Sequence, residues 1–140
     1  MTPPGEGRWG VPTLTALTDD GLAFISDYHL ATLSTMARDG LIHAVAVGFT
    51  VDDGMVRVIT SDGTQKVRNI ERDPRATITQ VAGPRWLSIA GRATIERDAD
   101  AVAHAEALYA ERYRPPRVNP RRVVIRLEPQ AVMGSKGLFA

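Results

Sequence analysis

Five residues in the stretch ITSDGTQKVRNI have the types and spacing that anion chemistry needs: Thr60, Ser61, Thr64, Gln65 and Lys66. The pattern is that of a strand end, a tight Asp62-Gly63 turn and a helix start, with Thr64 as the N-cap. A helix N-terminus presents unpaired backbone N–H groups and the positive end of the macrodipole, which suits a phosphate. Three hydroxyls and the Lys66 ammonium would converge on that end. Without an anion, a lysine in the first turn opposes the dipole by about 0.3–1 kcal/mol. Lys66 is also one of only two lysines among seventeen basic residues. The glycine spacing of a Walker loop is absent. Spacing alone leaves a second reading open, in which the helix is simply capped and the lysine reaches solvent.

Other chemistry-bearing residues are fewer. His29, His43 and His104 do not stand at metal-ligand spacing, and with no cysteine in the chain no metal site is expected. His43 opens an apolar strand and is placed to line a ligand cleft. His29 reads as a packing residue and His104 as a solvated one. Trp86, at the head of PRWLSIAGRATI, suits the core, a subunit interface or the face of a planar ligand. Arg112, Arg114, Arg117, Arg121, Arg122 and Arg126 crowd into fifteen residues. The bland reading is a solvated loop and strand edge. No serine–histidine–acid set and no paired carboxylates in an apolar setting suggest a hydrolase, and no residue is singled out as catalytic.

The elements that must position these residues follow from turn signals and periodicity. Thr18 caps a helix from Asp19 to about Asp27, with Leu22, Phe24 and Ile25 facing inward. Strands are expected over Leu30–Met36, Ile42–Val51, Met55–Thr60, Arg75–Val81, Arg85–Glu96 and Arg122–Leu127, with a bulge at Gly91. Asp73-Pro74 ends the helix that starts at Thr64, and Asp98 caps another that runs to about Tyr113. RPPRVNP is an extended linker. Short strands with turns between them predict a mostly β protein with short helices, a small antiparallel barrel. Ile42–Val51 is apolar at nearly every position, which implies cover on both faces and, in so small a barrel, a homodimer.

The 140 residues, 44% hydrophobic and 24% charged, suit one soluble domain. The Pro- and Gly-rich residues 1–17 are expected to be a flexible lead-in, with the domain over 18–140. A net charge of +1 offers no field for nucleic acid, and the longest apolar run is too short to span a membrane. The absence of a signal-peptide pattern makes the cytoplasm the expected location.

The same stretches resemble the FMN-binding split β-barrel family, of which pyridoxamine phosphate oxidase is the best-known branch. Thr60 and Lys66 match that family's flavin-phosphate pattern, whereas Thr64 replaces a serine and Gln65 an arginine. Trp86 replaces a glutamine that contacts the flavin ring. The oxidase's C-terminal tryptophan and Arg-Leu signature is missing from EPQAVMGSKGLFA. HLATLSTM, HAVAVGFT, VRVITSDGTQK, RWLSIAGRA and RYRPPRVNPRRVVI are closer to the actinobacterial branch that uses coenzyme F420, most of all to its biliverdin reductases.

The resemblance implies a six-stranded Greek-key split barrel, a homodimer, and a deazaflavin at the subunit interface. It places the coenzyme phosphate on Thr60, Ser61, Thr64, Gln65 and Lys66. The ring would lie along Ala44, Val45, Ala46 and Val47, with Trp86 against it. The implied reaction is hydride transfer from reduced F420 to biliverdin. His43, Arg85, Arg121 and Arg122 are candidates for the substrate, and Arg85 with the whole Arg112–Arg126 cluster for its propionates or for the coenzyme's polyglutamate tail. The alternatives are another conjugated acceptor, an FMN-binding oxidoreductase, and a non-catalytic cofactor- or tetrapyrrole-binding protein.

Overall fold

In the computed structural model, which describes residues 14–139, a 3-10 turn (Leu14–Ala16) leads into α1 (Asp19–Phe24). Four strands follow: β1 (Ala31–Met36), β2 (Ile42–Val47), β3 (Thr50–Asp52) and β4 (Met55–Ser61). Then come α2 (Gln65–Arg72), β5 (Arg75–Ala82), β6 (Arg85–Glu96), α3 (Ala99–Arg112) and β7 (Arg122–Gly134). Local chemistry sets most of these boundaries. The Thr18 hydroxyl accepts from the Gly21 N–H at 3.1 Å, and the Asp98 carboxylate accepts from the Ala101 N–H at 3.1 Å. Asp73, held extended before Pro74, ends α2.

The strands form one antiparallel sheet in the order β2-β1-β5-β6-β7-β4-β3. A flat sheet of seven strands would hold its edges about 29 Å apart. Yet its edge strands, β2 and β3, are joined by Gly48 and Phe49 alone. Three Cα steps reach at most about 11 Å, so the sheet must roll up until its edges approach. Phe49, Leu33, Ile78, Leu87, Ile89, Ile125 and Leu127 fill the interior, each about 1% exposed or less. The fold is thus a mostly β, antiparallel one with a few short helices, as the turn signals imply.

Several expectations need correction. The strand expected over Ile42–Val51 breaks at Gly48-Phe49 into β2 and β3, so there are seven strands where six were expected. Within the chain β2 leaves one face open, the face for which cover by a second subunit was expected. Ile42 is 70% exposed, and Ala44 and Ala46 are exposed beside it. β7 continues to Gly134 rather than stopping at Leu127. It does so by a register shift between Ala90 and Gly91, opposite Pro129, as the bulge expected at Gly91 requires. A Cβ on Gly91 would lie 1.9 Å from the Glu128 carbonyl oxygen, so only glycine fits there. α1 stops at Phe24, and Leu22 faces solvent. Of the lead-in, residues 1–13 lie outside the described residues. Leu14 and Leu17 instead join the core, where Leu17 bridges to Phe139.

Candidate functional site

β4 delivers Thr60 and Ser61 to the end of the sheet, and the Asp62-Gly63 turn, with Gly63 at φ +78°, feeds α2. The turn is held from three sides. Arg97 donates to the Asp62 carboxylate at 3.0 and 2.9 Å and to Glu71 at 3.1 Å. That contact, above all others, keeps the Asp62 carboxyl below the usual carboxylate range. The Asp62 N–H donates to the Arg121 carbonyl at 2.8 Å, and the Arg121 guanidinium donates to the Asp62 carbonyl at 3.0 Å.

Beside this turn opens a cavity of about 540 Å³. Its walls include Ala46, Val47 and Gly48 at the end of β2, Thr60 from β4 and Lys66 from α2. Tyr109 of α3, the segment Arg114–Asn119, and Arg122 complete it. The lining carries the basic side chains Lys66, Arg114, Arg117 and Arg122 and no carboxylate. Arg122 is neutralised, since its Nε donates to Glu106 at 3.1 Å and its Nη2 to the Arg117 carbonyl. Lys66 has no ion-pair partner among the described residues, and burial pushes its ammonium below the ordinary lysine range. Bringing an anion to it would reverse that shift. The cavity is therefore built for a ligand with negative charge.

The structure brings together Ala46, Val47, Thr60, Lys66 and Arg122 of the expected site, with Ser61 hydrogen-bonded to the lining residue Asn119. Thr64 stands at the N-cap, but its hydroxyl makes no capping bond. It donates instead to the Ser61 carbonyl at 2.9 Å, so its proton is not available to an anion. Gln65 turns its amide back along α2 and donates to Asn69 at 2.7 Å. Asn69 is itself fully buried and donates to Thr35 at 3.0 Å. Ala44 and Val45 lie farther along β2, outside the cavity lining. His43 faces Thr35 across the β1–β2 pair, and its Nδ1 is buried without a partner.

Arg121 is engaged with the turn. Arg85 lies over the Phe24 ring at 4.9 Å and does not line the cavity. Trp86 pairs with Val81 on the outer face of the β5–β6 hairpin and does not line the cavity either. His104, expected to be solvated, is half exposed and contacts Asp52 at 3.0 Å.

Sequence reasoning singled out Arg114 and Arg117 within the arginine cluster but missed Tyr109, Pro115, Pro116, Val118 and Asn119. The signal was present: three prolines and five arginines in RYRPPRVNPRR make a stiff, basic segment. Treating it as a linker concealed that it folds over the cavity.

Comparison with known proteins gives the chain clear relatives. An F420H(2)-dependent biliverdin reductase of Mycobacterium tuberculosis is 52% identical over 131 residues, which is 92% of this chain and 96% of that protein. A solved F420 reductase superposes with a TM-score of 0.67 at 25% identity, covering 79% of this chain and 93% of its own. A conserved hypothetical protein of M. tuberculosis shares the fold, with a TM-score of 0.75 at 24% identity and 88% of each chain covered. The family model described as pyridoxamine 5'-phosphate oxidase matches residues 17–136, nearly the whole described chain. With that match and the rolled antiparallel sheet, the chain belongs to the pyridoxamine 5'-phosphate oxidase family, as its sequence motifs led us to expect.

Proposed function

We propose that this protein reduces biliverdin to bilirubin with the reduced deazaflavin coenzyme F420. It is an F420-dependent oxidoreductase, as its 52%-identical relative is named. The observation that carries the reading is the cavity lined by basic side chains with no carboxylate, with Lys66 unpaired at the N-terminus of α2. The donor set fits a phosphate-bearing coenzyme: the Lys66 ammonium, the hydroxyls of Thr60 and Ser61, and the free N–H groups of the first turn of α2. Gln65 supplies at most its second amide hydrogen. When bound, the reduced deazaflavin provides a hydride for a conjugated acceptor.

The chain's own part is to bind, orient and exclude water. Lys66 and the α2 N-terminus anchor the anionic tail. Ala46, Val47 and Gly48 offer a flat, small-residue wall to a planar ring. Arg114 and Arg117 make no ion pair among the described residues and face the cavity, where they meet the two propionates of biliverdin. With no carboxyl group at the lining, solvent or an arginine supplies the accompanying proton.

The reading includes a homodimer. Ala46, Thr32, Thr79 and Ser88 stand in one row across four strands, with Ala44, Ser34, Thr77 and Ala90 in the next. This flat, small-residue face ends in exposed Ile42 and Val81. A second copy covers it, giving the split-barrel dimer, and Trp86 reaches a cavity only across that interface. A single domain in the cytoplasm completes the proposal. No described helix is long and apolar enough to cross a membrane.

The test is to mix the protein with reduced F420 and biliverdin and follow both spectra. Coupled loss of reduced coenzyme and biliverdin, with bilirubin formed, is expected. Coenzyme oxidation with other conjugated acceptors but not with biliverdin would replace the substrate. Tighter binding of FMN than of F420 would replace the coenzyme.

A further inference from the structure

The hydrogen bonds around Ser61 assign a role to a residue outside the expected site. Asn119 accepts the Arg121 backbone N–H on its Oδ1 at 2.9 Å. A backbone N–H can only donate, so the orientation of the Asn119 amide is settled by chemistry rather than by choice. Its Nδ2 must then face Ser61 Oγ, 2.7 Å away, and donate to it. A hydroxyl that accepts on one side keeps its own hydrogen for another partner. Thr64 next to it is in the opposite state, since its hydrogen is spent on the Ser61 carbonyl.

We infer that Asn119 is a positioning residue that holds Ser61 as a hydrogen-bond donor toward an anion in the cavity and ties the Arg114–Asn119 wall to the α2 cradle. The inference rests on the proposed function for the identity of the anion, the coenzyme phosphate. It goes beyond that reading in making the wall and the cradle one unit. Asn119 lines the cavity, while Arg121, two residues on, clamps the Asp62 carbonyl. The wall and Ser61 are thereby held in one hydrogen-bonded unit.

The test is a double-mutant cycle on the full chain, with oxidised F420 titrated against coenzyme fluorescence and thermal midpoints taken without ligand. Asn119→Ala should weaken F420 binding about five- to tenfold, and the same change in a Ser61→Ala background should have almost no effect. Asn119→Asp, nearly isosteric, still accepts from the Arg121 N–H but makes Ser61 donate the wrong way. It should cost about tenfold or more in affinity while leaving the ligand-free midpoint close to wild type. Tight wild-type binding with additive Ser61 and Asn119 effects overturns the Asn119 assignment alone. So does a loss of midpoint that accounts for the loss of affinity. A wild-type protein that binds neither F420 nor FMN overturns the proposed function and this inference with it.

Discussion

Two partly buried cations divide the molecule, and they are treated in opposite ways. Arg112, at the end of α3, is fully engaged. Its guanidinium donates to the Asp27 carbonyl at 2.8 Å, to the Phe49 carbonyl at 2.6 Å and to Gln80 Oε1 at 2.8 Å. It also lies 4.4 Å from the Phe49 ring centroid and 5.1 Å from that of Tyr113. Lys66, at the start of α2, has no anionic partner among the described residues. Burial lowers the pKa of both groups. The difference is that Arg112 recovers its lost hydration from carbonyl oxygens and aromatic faces, whereas Lys66 faces a cavity. A buried cation whose every nitrogen donates holds a fold together. One left wanting is held ready for a ligand.

The largest expected effect tests the engaged side. Arg112→Met keeps the apolar stem but leaves Gln80 Oε1 unpaired on a side chain only 1% exposed. Urea unfolding should show a loss of about 3 kcal/mol. A loss below about 1 kcal/mol would mean that Gln80 finds another donor, and the contrast would collapse.

Lys66→Ala should do the reverse. Coenzyme affinity should fall by about 1.5–3 kcal/mol with the loss of a charge-assisted contact. Stability of the empty protein should hold or rise slightly, because an unfavourable charge leaves the first turn of α2. A variant that loses stability but keeps its affinity would put Lys66 in the same class as Arg112.

A smaller effect appears in pH dependence. The folded pKa of Lys66 is depressed by desolvation below the 10.5 of an exposed lysine. Between the depressed value and 10.5 the unfolded chain binds more protons, so stability rises with pH there. Below that window the penalty is present in full. Lys66→Met should flatten this rise in denaturation midpoints, and saturating coenzyme should do so too. Identical slopes in wild type and variant would show that the ammonium pays no desolvation penalty.

The smallest effect belongs to Arg85, which lies over Phe24 away from the cavity. Arg85→Ala should cost no more than about 0.5–1 kcal/mol in stability and leave coenzyme affinity unchanged, as isothermal titration can check. A clear loss of affinity would bring Arg85 back among the ligand-binding residues, through the proposed dimer.

The cradle was legible in the sequence because it is local. A strand end, an Asp-Gly turn and a helix start within twelve residues leave few other conformations. The side chains within it were less legible. Gln65 is turned away by Asn69, whose own partner Thr35 lies 34 positions away. Trp86 stands next to the right strand in sequence but on the outer face, because residues in a strand alternate and its pairing with Val81 sets its side.

The sequence by itself determined the element types, the bulge at Gly91, the strand–turn–helix shape of the α2 start and the family. These depend on periodicity, capping and turn chemistry acting over a few residues. The tertiary structure alone decided which basic groups are free and which are spent. Arg122 is spent on Glu106, Arg121 on the turn and Arg85 on Phe24, while Lys66, Arg114 and Arg117 face the cavity. Whether a charge is available depends on what the fold places within about 3 Å of it, and no local pattern encodes that.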